Sequence, residues 1–185
     1  FPYTTLFRSG SQSPSNPEVN ASPVFRSIFI FAIPSLKTML MNNRMEALRD
    51  ALSNSLNYAR QVAVSKNTQT IVCPFSGAGS SACGGNWQNG WIVINQTTVG
   101  TSVLLQSNAT DSNAPILSMT PVGAVGTNRV TFDARGISTT QTNFKLCDSR
   151  GSAFAQSVEV LPTGFVQSGT NMGIAVWDGS GLTCP

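Results

Sequence analysis

Four cysteines, Cys73, Cys83, Cys147 and Cys184, are the side chains best equipped for chemistry in this sequence. None stands in a Cys-x-x-Cys pair and the chain has no histidine. A zinc site would need all four thiolates, at spacings unlike any compact zinc motif. An even count at wide spacing reads instead as two disulfides, which implies an oxidising compartment such as the periplasm. Three pairings are possible. Sequence order favours Cys73–Cys83, which would close a Gly/Ser loop, with Cys147–Cys184, which would tie the C-terminus to a strand.

Other chemistry finds little support. Nucleophilic catalysis needs a base beside a Ser or Cys, and without histidine that base would be a lysine or a carboxylate. Lys37, Lys66 and Lys145 stand in no Ser-x-x-Lys arrangement. Paired carboxylates could cleave glycosides, yet the 8 acids are scattered among turns and a helix. Asp133 and Asp148 end strand candidates, where turn hydrogen bonds account for them. Gly77, Gly79 and Gly84 follow a strand, but no Gly-Lys-Ser/Thr comes after them, so they read as a hairpin linkage and not a phosphate loop. Arg129, Arg135, Lys145 and Arg150 fall in or between neighbouring strand candidates. They could form a basic face that tracks a phosphate backbone; the favoured reading is a solvated strand edge whose charges discourage aggregation. The expectation is a chain with no enzymatic activity, no metal and no cofactor.

Composition points the same way. Apolar residues make up 41% of the 185 residues, enough for one sizeable core. Only 10% are charged, against roughly 25% in ordinary soluble domains. Amide, hydroxyl and glycine residues fill the gap, which suits exported β-rich proteins. The net charge of +3 is slight and unconcentrated, so it does not by itself call for nucleic acid.

The elements that would carry these residues are legible. Residues 1–27 lack periodicity and are expected to be disordered or artefactual. Phe1 to Ser9 looks like translated sequencing-adapter read-through, so the true N-terminus is expected to be missing. Ile28 to Ile33 is apolar but far shorter than the ~20 residues of a bilayer span. Pro34 and Ser35 then open an amphipathic helix expected over about 35–66, with Met41, Met45, Leu48, Leu52, Leu56, Ala59 and Val62 at steps of three and four. Asn67 is its expected stop. From residue 69 to 185 short β-prone runs alternate with Gly, Pro, Asn and Ser clusters. The runs are Thr70–Cys73, Gly90–Asn95, Ser102–Gln106, Arg129–Asp133, Asn143–Cys147, Ser157–Leu161, Phe165–Gln167 and Gly173–Trp177. No helix–strand alternation calls for a parallel sheet. The fold class is α+β: one long helix, then an antiparallel β-domain.

Local motifs add a resemblance. Ala32-Ile33-Pro34-Ser35-Leu36 followed by Met41-Asn42-Asn43-Arg44-Met45 looks like a pilin membrane helix running into its soluble half. Leu56-Asn57-Tyr58-Ala59-Arg60-Gln61-Val62-Ala63-Val64 resembles the signature of the FimT/GspH family of type IV minor pilins and pseudopilins. Ile71-Val72-Cys73, then Cys83 and Trp87 to Ile94, then Phe132 to Gly136, Phe144 to Cys147, Pro162 to Gly164 and Leu182 to Pro185 follow in the family's order. The resemblance spans residues 28–185.

That resemblance implies a type IV pilin-like fold, with the long N-terminal helix packed on antiparallel β-sheet. It implies a structural subunit of a type IV pilus, or alternatively a GspH-like pseudopilin of type II secretion. It further implies an inner-membrane protein with a single span and a periplasmic head, part of a pilus or pseudopilus. The implied partners are other pilins or pseudopilins, the inner-membrane assembly platform and, for the precursor, the prepilin peptidase. The membrane would be reached by a helix largely missing from this sequence. The cleavage site and glutamate-bearing apolar helix of the family are not in it. Met41, Met45, Leu48, Leu52 and Leu56 become the helix-packing and assembly residues, with the segment from Leu48 to Val62 expected as core and Ile28 to Met41 as filament contact. Some family members bind DNA through arginines beside the glycine of the late turn. Here Phe165, Val166 and Gln167 follow Gly164, so DNA is a disfavoured partner, with Arg129, Arg135, Lys145 and Arg150 the candidate contacts. The sequons at Asn95 and Asn108 are expected to be chance occurrences in a bacterial protein.

Overall fold

The computed structural model describes residues 23–77, 80, 82–108, 115–122 and 127–185, with side chains from residue 35 onward except that of residue 108. The segment 1–27, expected to lack structure, lies outside the described residues as far as residue 22. The chain divides into two compact units, Phe1–Lys37 and Thr38–Pro185. In the smaller unit the described backbone is helical from Pro23. The helix α1, Pro23–Lys66, thus begins upstream of the expected Ser35 and runs through Pro34. A proline inside a helix removes one i→i−4 bond and does not have to end it.

In the larger unit α1 ends as expected at Asn67. That residue adopts φ 51°, in the left-handed region. Thr68 N–H donates to the Ala63 carbonyl at 3.1 Å and Asn67 N–H to Val64 at 3.3 Å. These are the paired bonds of a Schellman cap, which satisfy carbonyls the helix would otherwise leave open. The chain then enters β1 (Gln69–Pro74), β2 (Gly90–Thr97), β3 (Gly100–Asn108), β4 (Ile116–Val122), β5 (Val130–Phe132), β6 (Gln141–Cys147), β7 (Gln156–Val160) and β8 (Val166–Ser168).

Two four-stranded sheets form, ordered β3-β2-β1-β5 and β4-β6-β7-β8, and every pairing is antiparallel. One core joins both sheets to the helix. Met45, Leu52, Leu56, Ala59 and Ala63 of α1 meet Val72, Trp91, Val93, Val130 and Phe132 of the first sheet. The same helix residues meet Leu117, Phe144, Leu146, Val158, Val160 and Val166 of the second. The period of two along each strand explains the split: Ile71, Cys73, Ile92 and Ile94 point to the opposite face and make a second small cluster with Phe75. Trp87 joins the sheets from a 3-10 turn, its ring edge-on to Phe144 at 5.0 Å. Its indole N–H is satisfied by Asn128 Oδ1 at 2.6 Å.

Two expectations about strands change. Ile116–Val122 is a strand that is not among the expected runs, and it contains Pro121. It lies at a sheet edge, where proline is tolerated. Gly173–Trp177 is no strand; only Ile174 bridges to Gly181, and Gly173 and Gly179 take positive φ. That C-terminal stretch is a strap of turns with its own small core of Ala175 and Leu182 against Cys147 and Ala155.

Cys73 and Cys83 are bonded, their Cα atoms 5.5 Å apart, and Cys147 is bonded to Cys184 with Cα atoms 5.8 Å apart. Of the three possible connectivities, this is the one that sequence order favours.

Candidate assembly surface

The helix carries two kinds of surface. From Met45 on, its stripe is core: Met45, Leu52, Leu56, Ala59 and Val62 are buried, as is Ala63, which the spacing rule did not include. Met41 and Leu48 are half-buried. Before the stripe, residues 35–40 are all exposed. Leu36, in the smaller unit, is 58% exposed; Met39 and Leu40, in the larger, are 60% and 51% exposed. Apolar side chains held open to water on a helix cost free energy unless another surface covers them.

At the other end of the helix, three separate motifs converge. Arg60, from the Tyr-Ala-Arg step, donates from Nε to the Gly136 carbonyl at 3.0 Å and from Nη2 to the Thr163 carbonyl at 3.4 Å. Gly136 ends the turn after β5 and Gly164 ends the Pro-Thr-Gly turn after β7; their φ angles are 76° and 78°. A Cβ on Gly164 would sit 1.8 Å from the Gly136 carbonyl oxygen, and a Cβ on Gly136 would sit 2.8 Å from Val64 Cγ2. Gly164 is therefore required twice, for its backbone angle and for the space, and Gly136 chiefly for its backbone angle. Ser138 N–H adds a backbone tie to the Pro162 carbonyl at 3.1 Å. Arg60 thus fastens a turn from each sheet to the helix. Nothing in the helix spacing gave Arg60 this role; the glycines at 136 and 164, after Phe132 and Pro162, were the available signal.

The four candidate basic residues lie on different elements and three have partners within the chain. Arg135 caps its own turn, pairing with Asp133 at 3.0 Å. Lys145 on β6 donates to the Thr183 carbonyl of the C-terminal strap. Arg150 pairs with Asp148 at 2.6 Å, reaches Asn42 Oδ1 of α1 at 2.6 Å, and lies 4.2 Å from the Phe154 ring centroid. Arg129 is exposed beside β5. At the late turn, Phe165 is 53% exposed after Gly164.

Asp133 and Asp178 work as turn caps. Asp133 Oδ1 accepts from the Ile137 and Arg135 amides, each at 2.9 Å. The Ile137 amide is the main reason its pKa lies below the ordinary value; partial burial opposes this, and the Arg135 side chain adds to it. Asp178 is lowered in the same direction, first by the Ser180 hydroxyl and then by the Ser180 amide. Among the described residues no group of three or more His, Cys, Asp or Glu side chains could hold a metal, and no helix is long and apolar enough to cross a membrane. Asn95 is buried, its Nδ2 donating to Thr68 Oγ1 at 2.6 Å, so its sequon is closed to modification in the folded state.

Comparison with known proteins places this geometry. A family described as type II transport protein GspH matches residues 49–164. The fold resembles the type IV minor pilin FimU of Pseudomonas aeruginosa, with 20% identity and a TM-score of 0.52, covering 69% of this chain and 89% of that one. It also resembles the minor pseudopilin EpsH from the type 2 secretion system of Vibrio cholerae, with 9% identity and a TM-score of 0.50, covering 68% of this chain and 95% of that one. No curated protein matches the chain significantly.

Proposed function

The chain belongs to the GspH family of type II transport proteins, with the fold of type IV pilins, and on that footing we propose that it is a FimU-like minor pilin of a type IV pilus. The observation that carries this reading is the change of surface along α1. The apolar stripe from Met45 to Ala63 is sealed into the head, while Met39 and Leu40 stay exposed. A helix that is greasy beyond its own domain is built to be covered by something else, and in a filament the neighbouring helices supply that cover. Its mechanism is mechanical: the helix inserts the subunit among others, and the β-head presents a surface at the filament tip or side. The partners on this reading are other pilins, the assembly platform of the inner membrane and the prepilin peptidase acting on the precursor, with the head in the periplasm.

A second reading, a pseudopilin of type II secretion, draws on the name of the matching family. A DNA receptor is disfavoured by the partners that Arg135, Lys145 and Arg150 already have. Deleting the gene in its own host separates the three. Loss of surface pili with exoprotein secretion intact supports the pilus reading. Loss of secretion with pili intact replaces it with the pseudopilin, and loss of DNA uptake alone replaces it with the receptor.

A further inference from the structure

We propose that the Cys147–Cys184 disulfide is a redox-controlled latch that sets, through Arg150, where helix α1 leaves the head. The chain from Cys147 to Phe154 is a short turn with two gripping sides. On one side it is fixed to the C-terminal strap. Cys147 is bonded to Cys184, Ser152 Oγ accepts from the Cys184 amide at 2.9 Å, and Cys147 and Ala155 share a small core with Ala175 and Leu182. On the other side it holds the helix. The Arg150 guanidinium is clamped by Asp148 through Nε at 2.9 Å and Nη2 at 2.6 Å and stacked on Phe154, which leaves Nη1 aimed at Asn42 Oδ1, 2.6 Å away.

The place of Asn42 makes this contact consequential. Residues 35–40 are exposed, Met41 and Asn42 are half-buried, and Met45 is the first fully buried residue of the stripe. Arg150–Asn42 is therefore a polar tether at the margin of the packed helix, where little apolar burial backs it up. Local opening begins where few buried contacts hold a segment. The pair Arg150–Asp148 is itself largely enclosed, with side chains 13% and 7% exposed. An enclosed charge pair is sensitive to small changes in the turn that carries it, because its desolvation is offset only while the geometry holds. That turn is short, and it begins directly after Cys147, the last residue of β6.

Opening needs a reductant, and a dithiol suffices. Cys147 is buried while Cys184 is half-buried, so a thiolate of the dithiol attacks Sγ of Cys184. The Sγ–Sγ bond breaks and Cys147 leaves as the thiolate. The second thiolate of the dithiol then attacks the mixed disulfide and releases Cys184. The protein gains two electrons and, once both sulfurs are protonated, two protons; the dithiol leaves as a disulfide. Without the bond the strap is held only by hydrogen bonds and its small core. The turn loses its covalent anchor, Arg150 loses its aim, and the helix segment 38–44 comes free of the head while the stripe from Leu52 to Ala63 stays docked. The latch is a property of the head and stands apart from the pilus reading: a chain that never joined a filament would still show it.

Hydrogen exchange on the full 185-residue chain tests it. Three forms are compared with the oxidised protein: Cys147→Ser with Cys184→Ser, Asn42→Ala, and Cys73→Ser with Cys83→Ser. The expected result is about tenfold faster exchange over 38–44 in the first two, with 52–63 unchanged, and no change over 38–44 in the third. Treating the oxidised chain with a dithiol is expected to reproduce the first result. Unchanged exchange over 38–44 without the Cys147–Cys184 bond overturns the latch. Equal acceleration over 38–44 and 52–63 also overturns it, since the bond then steadies the whole head and not the tether. The same acceleration on loss of Cys73–Cys83 overturns it as well.

Discussion

Gly136 and Gly164 illustrate how a residue with no side chain can be the least replaceable in a fold. Gly136→Ala brings its methyl within 2.8 Å of Val64 Cγ2, a side-chain atom that can shift, so the expected loss is about 1–2 kcal/mol, chiefly from the left-handed backbone. Gly164→Ala aims its methyl at a backbone carbonyl 1.8 Å away, which only a moved turn can relieve. The expected loss exceeds ~3 kcal/mol, and urea unfolding of the two variants measures the gap. Asp133 makes a different residue-scale case. Its folded pKa is depressed, first by the Ile137 amide. A depressed carboxylate contributes stability that is present above its unfolded value and lost as pH falls through the folded one. The Ile137 amide resonance should therefore titrate with a midpoint below 3.8, and Asp133→Asn should abolish the transition. A midpoint at or above that value would contradict the cap.

At the scale of the element, α1 should behave as two helices in one. Leu52→Ala and Leu56→Ala remove fully buried side chains and are expected to cost about 2–5 kcal/mol each. Met39→Ala and Leu40→Ala should leave the unfolding free energy within about 0.5 kcal/mol of the parent while weakening incorporation into sheared filaments, read by immunoblot. The helix stripe was readable in advance because its period shows directly in the spacing from Met41 to Val62. Most strands were readable too, since β-branched runs between turn residues leave few alternatives. What escaped was decided by context. Pro121 looks like a strand breaker until the strand is seen to lie at an edge, and Gly173–Trp177 has a strand's composition in a segment held by turns. The Arg60 contacts escaped because nothing local in the helix says that its partners come 76 and 103 residues later. Asn67 falls between these cases: an asparagine is a fair stop signal, and Asn67→Val should cost about 1–2 kcal/mol by forbidding the left-handed cap, as thermal unfolding would register.

For the whole molecule, the two disulfides differ in what they restrain. They close separations of 10 and 37 residues, for which chain entropy predicts about 3 and about 4 kcal/mol of stabilisation. Removing Cys147–Cys184 should accordingly lower the unfolding free energy more than removing Cys73–Cys83, as denaturant curves on the paired serine variants would report.

Both covalent crosslinks close inside the head, and neither crosses from the helix to a sheet. A filament under tension would therefore load α1 against nothing stronger than packed side chains, the Arg60 and Arg150 contacts and the single chain passing Asn67. Once those yield, the sulfur-closed stretches still refuse to lengthen. Stretched from its two ends in an optical trap, the oxidised protein should rupture to a length roughly 15 nm shorter than the reduced one, leaving a looped remnant able to reel back in.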